Sequence, residues 1–164
     1  MGLEPPPLGR APPRPRIVTA VPPQLSFAMF CHSAVAHQNG LISILDGGVD
    51  RISATALPTR VPLWFAARIS WDIDEAMKTH RFEISTASES GDERVANVEG
   101  TLPPNPAAES ISAPARAATF IVVPYPLEFR RSGLYVCTLR VDGNPLALLQ
   151  LAVDAPVHDL FPAP

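Results

Sequence analysis

The residues from Phe129 to Val153, FRRSGLYVCTLRVDGNPLALLQLAV, commit this chain to a β-hairpin. After the turn signal Ser132-Gly133, Tyr135, Cys137, Leu139 and Val141 share one parity, and Val136, Thr138, Arg140 and Asp142 share the other. That period of two, carried by β-branched and aromatic residues, is the pattern of a half-buried strand. Asp142-Gly143-Asn144 reverses the chain, because Gly and Asn tolerate the positive φ of a tight hairpin turn. The return from Leu146 to Val153 is apolar except at Gln150, which predicts a strand covered on both faces rather than an edge. Asp154-Ala155-Pro156 ends it, since proline cannot donate to a continuing ladder.

The rest of the chain supplies strands for this hairpin to pack against. Leu25 to His37 reads as the first, with Phe27, Met29, Cys31 and Val35 on one face and Ala28, Phe30, His32 and Ala34 on the other. Asn39-Gly40 is the strongest short hairpin signal, and it leads into Leu41–Leu45, read as a buried strand. Asp46-Gly47-Gly48 breaks it, and Val49–Ala56 resumes an extended pattern. Pro62–Trp71 aligns Leu63, Phe65, Ala67, Ile69 and Trp71 inward. Asp72 followed by Glu75 has the form of a capping box and predicts a short helix near residues 73–78. His80–Ser88 places His80, Phe82, Ile84 and Thr86 on one face, and Arg94–Leu102 returns. Residues 103–114 read as a loop with room for a short edge strand at Ile111. Arg116–Val123 is a further strand, linked through Pro124-Tyr125-Pro126 to the closing hairpin. The sum is an all-β protein: an immunoglobulin-like antiparallel β-sandwich of about eight or nine strands.

Composition sets the limits around that core. The 164 residues suffice for one domain with a true core. Residues 1–24 hold eight of the 20 prolines, with Arg10, Arg14 and Arg16 between them, and read as a disordered, extended leader. The sandwich domain is expected over 25–155, and a flexible tail over 156–164. A net charge of −3 lacks the clustered basic excess of a nucleic-acid-binding surface. No run approaches a membrane span, and the N-terminus lacks the apolar core of a signal peptide. The expected location is the cytoplasm, where Cys31 and Cys137 stay reduced.

Two resemblances follow from these residues. Ser132-Gly133-Leu134-Tyr135-Val136-Cys137 is similar to the penultimate strand of immunoglobulin-like domains, where a Tyr precedes the second Cys by two. Cys31 and Trp64 would complete a Cys–Trp–Cys set, although the two Cys stand 106 residues apart, more than a plain immunoglobulin domain allows. Over Phe27–Val153, the segments NGLISILDGGVD (39–50), Trp71 through Phe82, and Gly133 through Gly143 resemble a family of small bacterial proteins catalogued only as a domain of unknown function. Val49 stands where that family commonly has an aromatic residue, and Ser132 where it commonly has a proline. The resemblance implies a one-domain β-sandwich and brings no activity.

No catalytic constellation is visible. There is no G-x-S-x-G elbow, no phosphate-cradling glycine loop and no nucleophile with a local base. None of His32, His37, His80 and His158 has a partner at zinc spacing, and His80 reads as a strand-start residue with a hydrogen-bond partner. Asp46, Asp50 and Asp142 sit in glycine-containing loops where calcium can bind, although Asp and Gly are also what turns require. Both cysteines read as small buried hydrophobes. Phe30 and Trp64 lie on exposed-looking parities and form a candidate apolar patch. The expectation is a non-enzymatic interaction or structural module, without cofactor, whose partner is a protein, itself or another, rather than nucleic acid or membrane. The alternative is a small-ligand or calcium-binding domain using the Asp-Gly loops.

Overall fold

The computed structural model describes residues 21–111 and 115–155. Most of the expected leader and the tail after Ala155 lie outside the described residues. Ten strands follow in order: β1 (Gln24–Cys31), β2 (Ser33–Ala36), β3 (Ile42–Leu45), β4 (Arg51–Ser53), β5 (Thr59–Trp71), β6 (His80–Ser88), β7 (Arg94–Leu102), β8 (Ala117–Phe129), β9 (Gly133–Val141) and β10 (Asn144–Asp154). A one-turn helix α1 (Ile73–Ala76) and a 3-10 turn (Pro106–Ser110) complete the described elements. A three-stranded sheet β1-β5-β8 faces a five-stranded sheet β4-β10-β9-β6-β7, and β2-β3 form a separate two-stranded arm. This is the all-β sandwich that the alternating sequence demands.

The inward parities are the ones the sequence marks. Leu63, Phe65, Ala67, Ile69 and Trp71 of β5 meet Phe82, Ile84 and Thr86 of β6 and Tyr135, Cys137, Leu139 and Val141 of β9, all buried. Phe30, Phe65 and Tyr125 form an aromatic triangle at its centre, with ring centroids 5.8–6.2 Å apart. Two polar side chains at its centre, Thr86 and Tyr125, are paired. Tyr125 Oη donates to Ile84 O at 3.2 Å and lies 3.0 Å from Thr86 Oγ1, so burial leaves neither hydroxyl unsatisfied.

Several expectations are corrected. The first strand divides at His32, where the chain leaves the three-stranded sheet for the arm, and Gln24 belongs to β1 rather than to the leader. Asp72 makes no side-chain cap to α1; its carboxylate lies 3.6 Å from Arg116 Nε instead. Ile111 joins no strand. The sheets are not wholly antiparallel, because β4 runs parallel to β10. On β10 one face is open, with Leu148 69% exposed. Leu41–Leu45 is not buried on both sides either: Leu41 and Leu45 point outward at 63% and 60% exposure.

Pro124 and Pro126 do not link two strands but lie inside β8, which pairs with β5 without a register shift from Ala117 to Phe129. The physical reason is that β8 is an edge: among the described residues only one side of its backbone is in a ladder, and proline is tolerated where its nitrogen faces the other side. Val61 through Leu63 likewise pair only with β8, because the β1 pairing ends at Trp64, which leaves Pro62 room on the β1 side.

Candidate functional site

The arm β2-β3 and its turn carry three of the five large hydrophobic side chains exposed among the described residues. Its turn is the Asn39-Gly40 signal: Gly40 has φ 76°, Leu41 N–H donates to Asn39 Oδ1 at 3.2 Å, and His37 N–H closes on Leu41 O at 2.8 Å. The register Ala34↔Ile44 and Ala36↔Ile42 sets the two faces. Ala34, Ile42 and Ile44 pack onto the outer face of the three-stranded sheet, against Cys31 and Ala66 with Phe27, Met29, Trp64 and Val122. The opposite parity leaves Val35, Leu41 and Leu45 in solvent at 53%, 63% and 60% exposure, with His37 Nε2 and Ser43 Oγ 2.8 Å apart across the strands. At the base, a Cβ on Gly47 would stand 2.8 Å from Met29 Sδ and 2.9 Å from Ile44 Cγ2. Glycine there lets the arm close down on the sheet.

The two residues put forward as an apolar patch lie elsewhere. Phe30 is 1% exposed and stacks in the main core, so it offers no surface. Its parity faces the second sheet, while Phe27, Met29 and Cys31 face the arm. Trp64 is half-buried beneath the arm. A sequence with apolar residues on both parities, LISIL, conceals which side is open, and only the two-strand width of the arm decides it.

A second place with chemistry is the end of the sandwich where β6 begins and β9 turns into β10. Asp142 and Gly143 form the two-residue turn with φ 49° and 80°, the type I′ geometry that Asp-Gly favours. That turn holds Asp142 Oδ2 2.7 Å from His80 Nδ1, and Oδ1 accepts from Arg81 N–H at 2.8 Å. His80 Nε2 lies 2.8 Å from Glu75 O, and the ring stacks on Trp71 at 4.0 Å. Both ring nitrogens are thus engaged by oxygen partners. Neither nitrogen is free to take a substrate proton, so this His–Asp pair is a tie between α1, β6 and the turn rather than a general base. It borders a cavity of about 380 Å³ lined by Val21–Pro23, Trp71, Glu75, Val141, Asn144 and Leu146 among others. The hydrogen-bonded partner expected for His80 is thus Asp142.

The three candidate calcium aspartates are not brought together. Asp50 accepts from Ala152 N–H through its carbonyl at 2.8 Å, near the end of β10, while Asp142 precedes the start of that strand. Eight residues of strand from Asn144 to Ala152 separate those positions by roughly 26 Å at ~3.3 Å per residue. Asp46 pairs with His32 at 3.5 Å on the surface. Among the described residues no three His, Cys, Asp or Glu side chains converge as a metal requires.

The immunoglobulin likeness holds in one detail and fails in another. Tyr135 Oη donates to Arg131 O at 2.9 Å, a tyrosine corner, and Glu93 Oε2 lies 3.2 Å away. Glu93 Oε1 also accepts from Arg130 N–H at 3.1 Å, which ties the turn before β9 to the β6–β7 loop. Cys31 and Cys137, however, are both free and lie in separate clusters, so no Cys–Trp–Cys set forms. Burial pushes the Cys137 thiol up to about 11, against the hydrogen bonds of Thr86 and Tyr125, and burial also raises Cys31. Iodoacetamide at neutral pH is therefore expected to label neither cysteine in the folded protein and both in denaturant. Native-state labelling of Cys137 would contradict this burial.

Comparison with solved structures gives distant matches. The C-terminal domain of wzt is similar at 10% identity over 82% of this chain and 75% of that one, with a TM-score of 0.47. An immunoglobulin-like protein of Pseudomonas aeruginosa is similar at 9% identity over 83% of this chain and 99% of that one, with a TM-score of 0.34. The alkylpurine DNA glycosylase AlkC of Pseudomonas fluorescens matches at 10% identity over 77% of this chain and 30% of its own, with a TM-score of 0.42. No curated protein matches. A family model matches residues 26–154, nearly the whole sandwich, and the chain belongs to that family of unknown function, DUF6941.

Proposed function

We propose that this protein is a non-catalytic interaction module that docks a protein partner on the outer face of the β2-β3 arm. One observation carries the reading: three of the five large hydrophobic side chains exposed among the described residues, Val35, Leu41 and Leu45, share that face. Clustered exposed apolar groups are the mark of a contact surface, whereas single ones are ordinary. The arm is supported from beneath by a packed cluster, so its outer face is presented on a rigid base. The engaged nitrogens of His80 and the raised thiols support the non-enzymatic side of the reading. The free state of both thiols fits a reducing cytoplasm, and no helix among the described residues is long and apolar enough to cross a membrane.

The test compares the wild-type chain with L41S/L45S as baits for the same extract. Both side chains are exposed, so stability should change by no more than about 0.5 kcal/mol per site. A protein retained by the wild type and reduced at least about tenfold on the variant, a loss of ~1.4 kcal/mol, is the expected result. Equal retention on two equally stable baits would refute the arm as the docking face.

A further inference from the structure

We propose that two copies of this chain pair through the open edge of β8, joining their three-stranded sheets across a two-fold axis at Ile121. The surface is distinct from the exposed outer face of the arm, although Ala36 of β2 borders it, and the inference stands independently of that reading.

The direction of each backbone group in β8 follows from one side-chain contact. Asn105 Nδ2 donates to Ala118 O at 3.2 Å from outside the β5–β8 ladder. Residues in a strand point their N–H and C=O alternately to either side, and the register is unbroken from Ala117 to Phe129. Ala118, Phe120, Val122, Pro124, Pro126 and Glu128 therefore all face the open edge. Two of them are prolines, so the edge lacks an N–H at 124 and 126. Glu128 lies beyond the prolines at the end of the strand, and the adjacent complete pairing groups are those of Phe120 and Val122. They border an apolar groove of about 560 Å³, closed on the far side by residues 100–106 and floored by Phe82 and Leu102.

These groups are complementary to a second copy of themselves. With the axis at Ile121, Phe120 of one chain stands opposite Val122 of the other in both directions, and each pair exchanges two N–H···O bonds. The next pair outward is Ala118 opposite Pro124. Ala118 N–H donates to Pro124 O, while Pro124 has no N–H to return to Ala118 O. That acceptor is the one Asn105 already holds within the chain. Shifting the axis to Phe120 sets Val122 N–H in competition with Asn105 for Ala118 O. Shifting it to Val122 puts Phe120 O opposite Pro124, with no donor. From Ala118 to Pro124, the register centred on Ile121 satisfies every group on the edge, and it forms the isologous contact of a closed dimer. It also brings the two Ile121 side chains together on the core face and Phe120 beside Val122 on the outer face, as cross-strand neighbours.

The test is light scattering across a concentration series, paired with amide hydrogen exchange. The wild type is expected at about twice its 17.6 kDa mass when concentrated, falling twofold on dilution. V122P removes one edge N–H, as Pro124 and Pro126 already do, and spares the ladder to β5. It is expected at the single-chain mass throughout, with an unchanged fold. In the wild type, the Phe120 and Val122 amides should be protected when concentrated and lose that protection on dilution, while the Ile121 amide, which faces β5, stays slow at both. The exchange data decide the matter even if V122P does not fold. A wild type that is monomeric at every concentration, a V122P dimer, or Phe120 and Val122 amides indifferent to concentration would each overturn the proposal. So would a dimer lost in L41S/L45S and kept in V122P, which would place the interface on the arm.

Discussion

Phe65→Ala is expected to destabilise the sandwich by about 3–5 kcal/mol, the range for emptying a buried aromatic site. The residue is fully buried at the middle of β5 and meets Phe30 edge-on at 5.9 Å and Tyr125 at 6.2 Å. Three elements converge on the space it fills: β1 through Phe30, β8 through Tyr125, and β5 itself. Collapse into the gap would require these strands to shift together, and their backbone ladders resist that. The cavity therefore persists, and the loss lies toward the upper part of the range. Against a total of about 5–15 kcal/mol for an ordinary domain, it is a large share. The melting temperature should fall by about 10–20 °C in a thermal scan. A fall of only a few degrees would mean that the aromatic triangle is not the centre of the core.

Asp142→Ala should cost about 1–3 kcal/mol, because it strips the acceptor from the buried His80 Nδ1–H. The same carboxylate also accepts from Arg81 N–H, so the β9–β10 turn loses both of its side-chain ties to β6. Acid acts on the same group. Burial raises the Asp142 carboxyl, but the hydrogen bonds from His80 and Arg81 N–H and the His80 charge outweigh it, holding the group below the usual carboxylate range. The folded protein thus binds this proton less readily than the unfolded chain does. Its contribution to stability is complete above the unfolded value of about 4, and it is lost as pH falls through the lower folded value. The side chain is 48% exposed, so solvent screens part of the effect. Asp142→Asn removes the titration, and its melting temperature should fall less steeply than that of the wild type below pH ~5. Parallel acid limbs for the two proteins would rule out Asp142 as the responsible group.

Much of this architecture is legible in the sequence wherever a strand has one wet face. The inward sets of β5, β6 and β9 follow from parity alone, as do the bounds His80–Ser88 and Arg94–Leu102. Legibility fails where apolar residues occupy both parities or where proline appears. LISIL reads as a buried strand because parity cannot tell a covered face from an open one, and the arm has only two strands. Phe30 reads as exposed because its strand buries both faces, one under the arm and one in the core. Pro124 and Pro126 read as a link because a proline ends a strand only when its nitrogen would face a partner, and strand order is a property of the whole fold. The His80–Asp142 tie joins residues 62 positions apart. Only the identity of the Asp-Gly turn hints at it.

The parallel pairing of β4 with β10 has a consequence for how the protein is made. Among the described residues, Arg51–Ser53 has no neighbour in its sheet except Ala152–Asp154, about a hundred residues later in synthesis. On a ribosome that extends the chain from its N-terminus at ~5–20 residues per second, β4 emerges several seconds before its partner. Until then the five-stranded sheet cannot close on that side, and Ile52 has no Val153 beside it. Contacts between such distant segments are slow to form. Final closure is therefore a late event that locks an earlier segment with one of the last, and a nascent chain halted before Asn144 would expose both β4 and the flank of β9.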